Sequence, residues 1–134
     1  MTKRFGRPGM PRIILVDDDP DLVDRIAQLL EDEYEVLSTY DWAELSRLYL
    51  REDCALVLMD VKLPILGGDR LVQILRGRAR SDGLRVPIVF FSSADEEIVA
   101  ELVKETGADG AISKSLRGPD IKAAIARHVR PDRS

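Results

Sequence analysis

The chain has 134 residues, 45% of them hydrophobic and 33% charged, with a formal net charge of -4. That length suits one compact domain with a single sizeable core, and the slight acidity argues against a nucleic-acid-binding role. The longest apolar runs, such as "ALVLM", are strand-sized, so neither a membrane-spanning segment nor a signal peptide is read here.

Residues 1–10, "MTKRFGRPGM", are basic and rich in glycine and proline, and read as a mobile N-terminal tail with Lys3, Arg4 and Arg7 solvated. "RIILV" (12–16) is the first strand. The helix that follows, over 20–32, has Leu22, Val23, Ile26, Leu29 and Leu30 at helical spacing, and Pro20 suits its first turn. "YEVLST" (34–39) reads as a strand, and residues 41–51 as a helix with Asp41 as N-cap. "CALVLMD" (54–60) is continuously apolar before its aspartate, the pattern of a strand buried on both faces.

Its single cysteine, Cys54, leaves no internal disulfide, suits a reducing cytoplasm, and reads as a small buried hydrophobe. Residues 68–79 read as a helix weakened near its end by Gly77, and "PIVFFSS" (87–93) as another buried strand. A helix over 95–107 has acids in its first turn and Gly107 as its stop. "GAIS" (110–113) is a short strand, and 119–130 the last helix, with the lone histidine, His128, near its end. Residues 131–134 read as a frayed C-terminal tail.

Strict alternation of five strands and five helices predicts a three-layer α/β fold: a five-stranded parallel sheet with helices on both faces and right-handed crossovers. In a doubly wound, flavodoxin-like sheet of order 2-1-3-4-5, chemistry gathers at the carboxyl ends of the strands, between the first and third. The first strand ends in Asp17 and Asp18, the third in Asp60, the fourth in Ser92 and Ser93, and the fifth in Lys114. Three carboxylates in one crevice repel one another unless a cation neutralises them. Mg²⁺ prefers oxygen ligands and commonly binds one or two carboxylates together with phosphate oxygens. A carboxylate beside it is a competent nucleophile for an aspartyl-phosphate, and a lysine and a hydroxyl supply charge stabilisation. Asp18 or Asp19 taken alone is equally well read as a helix N-cap, and Ser92 or Lys114 alone as an ordinary surface residue. It is their convergence that points to a phosphoryl-accepting site.

Over residues 11–130 the chain resembles the receiver domain of two-component response regulators. The resemblance is carried by "ILVDDDP", "LVLMDVKLPILGG", "PIVFFSS" and "GADGAISK", with Asp60, Pro64 and Gly68 in the family's Asp-x-x-x-Pro-x-x-x-Gly spacing. It implies that Asp60 is the phosphoacceptor, taking its phosphoryl group from a phosphohistidine on a sensor histidine kinase or histidine phosphotransfer protein. It implies Mg²⁺ held by the Asp18 and Asp60 carboxylates and the Lys62 backbone carbonyl, with Asp17 acting through a metal-bound water. Ser92 matches the hydroxyl that reaches the phosphoryl group, and Lys114 the lysine that pairs with acceptor and then phosphate. Asp19 and Asp21 are left as helix-start residues.

Three positions depart from the family pattern. Ser115 stands where a proline, often cis, usually follows the lysine; a non-proline cis bond costs about 3–4 kcal/mol, so a trans bond is expected. Ala111 stands where many receivers carry a switching aromatic, so output is expected to be transmitted by backbone shifts or by the Ser92 loop. Trp42 replaces a glycine before the second helix and is expected to pack against Tyr40 or that helix.

A haloacid-dehalogenase-like phosphatase fits poorly, because "DDDPD" gives Asp17-x-Asp19-Pro20-Asp21 in place of the required motif. A flavodoxin-like flavin carrier would meet an acidic first loop that repels phosphate. The remaining alternative is a phosphorylation-independent interaction module using the face of the fourth helix, fifth strand and fifth helix. With no output segment read after residue 130, the domain is expected either to work alone or to be part of a longer chain.

Overall fold

The computed structural model of the protein describes residues 2–51, 54–62, 67–77 and 86–129. Its elements in chain order are β1 (Lys3–Phe5), β2 (Arg12–Val16), α1 (Pro20–Leu30), β3 (Glu35–Thr39), α2 (Trp42–Arg51) and β4 (Leu56–Met59), then α3 (Gly68–Arg76), β5 (Ile88–Ser92), α4 (Glu96–Thr106), β6 (Gly110–Ser113) and α5 (Gly118–His128). The sheet runs β1-β3-β2-β4-β5-β6. β2 pairs in parallel with both β3 and β4, as β4 does with β5 and β5 with β6. These five strands have the expected order 2-1-3-4-5.

Continuous apolar strands are explained by two covered faces. Along β2, Ile14 and Val16 join Leu37, Val57, Met59 and Phe90 in a core that also contains Leu45, Val72 and Val99 of α2, α3 and α4. The intervening Ile13 and Leu15 join Val36, Leu58 and Phe91 on the other face, against α1 and α5. Since successive strand side chains point to opposite faces, a strand between two helical layers is apolar at every position.

The local signals act as their chemistry requires. The Asp19 side chain accepts from the backbone N–H groups of Asp21 and Leu22 and caps α1. Asp41 Oδ1 accepts from the Ala43 N–H at the start of α2. Gly107 ends α4 in the left-handed region at φ 80°, where a side chain is strained. Cys54 is buried, and His128 is the last residue of α5. Pro64 and the C-terminal residues 131–134 lie outside the described residues.

The N-terminal tail needs correction, and with it the strand count, which is six among the described residues. Residues 3–5 form β1, antiparallel to β3, with Arg4 opposite Leu37. The physical reason lies in Glu35, which opens β3 and is almost fully buried. Arg4 Nη1 and Arg12 Nε reach its Oε1 at 3.0 and 3.1 Å, so arginines from both flanking strands hold one buried carboxylate. Phe5 packs against the α1/α5 core beneath Tyr34 and Val36. Gly6 makes the return possible. Its φ is +83°, and a Cβ there would lie 2.4 Å from the Tyr34 carbonyl oxygen. β1 therefore covers the edge that β3 would otherwise leave unpaired.

Candidate functional site: an acidic pocket at the strand ends

All five parallel strands end, or are directly followed, by a residue whose side-chain oxygen accepts the backbone N–H two positions on. Asp17 Oδ1 takes Asp19 N–H at 2.9 Å, Thr39 Oγ1 takes Asp41 N–H at 3.2 Å, and Asp60 Oδ1 takes Lys62 N–H at 3.2 Å. Ser92 Oγ takes Ala94 N–H at 3.0 Å and Ser113 Oγ takes Ser115 N–H at 3.2 Å. Short polar side chains turn the backbone in this way. The oxygens that turn the chain out of the sheet thereby line its carboxyl edge.

The sheet draws the sequence-predicted residues together. Asp60 N–H donates to the Val16 carbonyl and Asp17 N–H to the Thr39 carbonyl, so the ends of β2, β3 and β4 are locked in register. One carboxylate oxygen from each of Asp17, Asp18 and Asp60 lies within 4.8 Å of the others. From the far side, Lys114 N–H donates to the Ser92 carbonyl at 2.9 Å, anchoring the lysine to the end of β5. Its Nζ lies 2.8 Å from Asp17 Oδ2 and 3.4 Å from Asp60 Oδ2, and 5.7 Å from the centre of the Phe91 ring.

The three acids are not equivalent. Asp17 is buried, with one oxygen in its turn and the other facing the lysine, whereas Asp18 is exposed. Asp60 is half-buried, and its carboxyl is raised above the ordinary carboxylate range. Burial is the main cause and the Asp17 charge adds to it, while the Lys62 N–H and the Lys114 ammonium oppose them. Lys114 sits nearer Asp17 than the acceptor position that the resemblance emphasised. Lys62 turns its side chain to solvent and contributes its N–H to Asp60. Ser92 is buried beside the site.

The departures can now be placed. No cis peptide occurs among the described residues, so Lys114–Ser115 is trans as expected. Ala111 lines a groove of about 420 Å³ between α4 and β6, with Val99, Val103 and Ile112 among its walls. Trp42, the first residue of α2, is 41% exposed, and Tyr40 is 61% exposed.

The family model for the response regulator receiver domain matches residues 13–126. This chain belongs to that family. The receiver domain is 30% identical over 126 residues to a transcriptional regulatory protein CpxR homolog of Haemophilus influenzae, covering 91% of this chain and 53% of that protein. It is 29% identical over 120 residues to the sensor histidine kinase TmoS of Ectopseudomonas mendocina, covering 89% of this chain and 12% of the kinase. The chain thus spans about half the length, or less, of these curated relatives.

Among solved structures, the chemotaxis protein CheY4 of Vibrio cholerae superposes with a TM-score of 0.79 at 21% identity, over 90% of this chain and 100% of that one. The receiver domain of sensor histidine kinase PA1611 from Pseudomonas aeruginosa, solved with magnesium coordinated in its active-site cleft, gives 0.76 at 24% identity, over 90% and 98%. Both show the fold. The family match places residues 13–126 among the regulatory receiver domains of two-component systems. No helix among the described residues is long and apolar enough to cross a membrane.

Proposed function

We propose that Asp60 accepts a phosphoryl group from a phosphohistidine on a sensor histidine kinase or histidine phosphotransfer protein, with Mg²⁺ in the acidic pocket, and that the domain signals through a protein surface in the cytoplasm. The observation that carries this reading is the approach of three carboxylate oxygens within 4.8 Å, with one lysine ammonium against two of them. An all-oxygen set from Asp17, Asp18 and Asp60 fits a hard divalent cation. The exposed Asp18 and half-buried Asp60 suit direct ligation, together with the Lys62 backbone carbonyl. Asp17, already engaged by Asp19 N–H and Lys114, suits a role through a metal-bound water. The magnesium recorded in the PA1611 receiver lies in the cleft of the same fold.

Bound there, Mg²⁺ supplies positive charge for the phosphoryl oxygens. The remaining work falls to this chain. A carboxylate oxygen of Asp60 attacks phosphorus, an O–P bond forms, and the P–N bond to the donor imidazole breaks, returning its electron pair to the ring nitrogen. Lys114 holds its ammonium against the charge of the acceptor, and Ser92 retains a hydroxyl hydrogen to donate to a phosphoryl oxygen.

The test is incubation with Mg²⁺ and acetyl phosphate, followed by intact mass. One added phosphoryl group is expected on the wild type and none on Asp60→Asn. An unlabelled wild type, under conditions that label a known receiver, would favour the phosphorylation-independent interaction module. A labelled Asp60→Asn would remove the site assignment.

A further inference from the structure

The strand-end turn at Ser113 has no part in the phosphoryl chemistry, yet it brackets the lysine. Ser113 closes β6, and its hydroxyl accepts the Ser115 N–H at 3.2 Å while lying 2.7 Å from Ser115 Oγ. Its carbonyl accepts the Leu116 N–H at 3.3 Å, which closes a four-residue turn with Lys114 and Ser115 at the two central positions. On the other side, Lys114 N–H is tied to the Ser92 carbonyl, and Ser92 is the register partner of Ser113. The peptide bond leaving Lys114 is trans.

With serine and not proline at position 115, no ring fixes φ of Ser115 or restricts ψ of Lys114, so some other restraint must fix the exit of the chain. The bonds available at this turn are those of Ser113. A serine side chain that captures the N–H two residues on holds the intervening residue in one conformation. Here the intervening residue is the lysine whose Nζ reaches both Asp17 and Asp60. A long side chain keeps two contacts near 3 Å only if its Cα is fixed, because small rotations of the backbone move a terminal nitrogen by more than the tolerance of an ion pair.

We infer that Ser113 is a positioning residue for Lys114, and that its hydroxyl, paired with that of Ser115, sets the lysine against the acceptor carboxylate in a loop without proline. The inference rests on the reading of Asp60 as the phosphoryl acceptor.

The experiment combines acetyl phosphate labelling with ¹⁵N relaxation on the intact chain. Ser113→Ala is expected to slow labelling about fivefold, the factor that one lost hydrogen bond of ordinary strength supplies. Ser113→Thr, which keeps the hydroxyl, should restore the rate to within about twofold. In a Lys114→Ala background the same Ser113→Ala change should have no further effect, since it acts through the lysine. Equal slowing in both backgrounds, no slowing at all, or failure of threonine to restore the rate would overturn the inference.

Relaxation decides independently of phosphorylation. In Ser113→Ala the backbone order parameters of Lys114 and Ser115 should fall from rigid values of about 0.85 towards about 0.6. Unchanged order parameters overturn the positioning role even if the labelling rate falls. A wild type that takes no phosphoryl group, but loosens at Lys114 in Ser113→Ala, removes the acceptor reading and leaves the role of Ser113 in place.

Discussion

Replacing Lys114 with methionine removes the cation from the acidic pocket while keeping much of the side chain's bulk. The Asp17 carboxylate, whose side chain is only 1% exposed, then loses its ion-pair partner at 2.8 Å. At an effective dielectric of about 20, two unit charges at that distance attract by about 6 kcal/mol. Part of this is offset by the desolvation of both groups, and removing one partner of a buried pair costs about 3–5 kcal/mol in practice. Lys114 is itself 18% exposed, so some water already screens the pair, and the lower end applies. A loss of about 3 kcal/mol is expected in metal-free buffer, lowering Tm by about 10–15 °C for a domain of this size.

Urea unfolding followed by circular dichroism, with a chelator present, measures it. Adding Mg²⁺ should return most of the loss, since a divalent cation replaces the missing positive charge among the same carboxylates. Asp17→Asn in the Lys114→Met background should also recover stability, because it removes the stranded anion. A loss below about 1 kcal/mol, or a double variant no more stable than Lys114→Met alone, would show that Asp17 does not depend on this lysine.

Other outcomes follow from single contacts. His128, the chain's one histidine, is held below its ordinary range, first by burial and then by Arg127, with Asp109 opposing them. A lowered folded value means that its contribution to stability is complete above the unfolded value of about 6.5, and is lost as pH falls through the folded value. The imidazole resonance should titrate below about 6.5, and the acid-side loss of stability should diminish in His128→Gln. Deleting residues 1–10 should lower the urea midpoint and allow self-association through the bared edge of β3, seen by light scattering. Phe5→Ala, at a partly exposed site, should cost about 1–2 kcal/mol, less than a fully buried phenylalanine. Asp19→Ala should cost about 1 kcal/mol through the lost α1 cap, and calorimetry should find Mg²⁺ affinity unchanged. A large loss of affinity there would move a metal ligand to Asp19.

Much of the site was legible because each of its residues follows an apolar run. Asp17, Asp60 and Ser92 stand where a buried strand stops, and a polar group in that place is visible in one dimension. Ser113 carries no such mark, since a lone hydroxyl after a short strand has no chemical signature. Its part emerges only when Ser115 N–H and Lys114 are seen around it. β1 has no local signal either: "KRF", beside Gly6, Pro8 and Gly9, shows neither alternation nor length. Its pairing depends on Glu35, thirty-one residues beyond Arg4.

Period and punctuation in the amino-acid sequence were sufficient for the five alternating units and for the polar groups that end their strands, whereas the order 2-1-3-4-5 was what a doubly wound, flavodoxin-like fold implies. The units and their end groups depend on local propensity and on the two-sided burial of parallel strands, which act over a few residues at a time. What required the folded chain was everything set by distance across elements. This includes the two arginines on Glu35, the sixth strand, the exposure of Trp42, and the preference of Lys114 for Asp17 over Asp60 by 2.8 against 3.4 Å. Differences of half an ångström come from the packing of helices and strands far apart in the chain, and no local pattern records them.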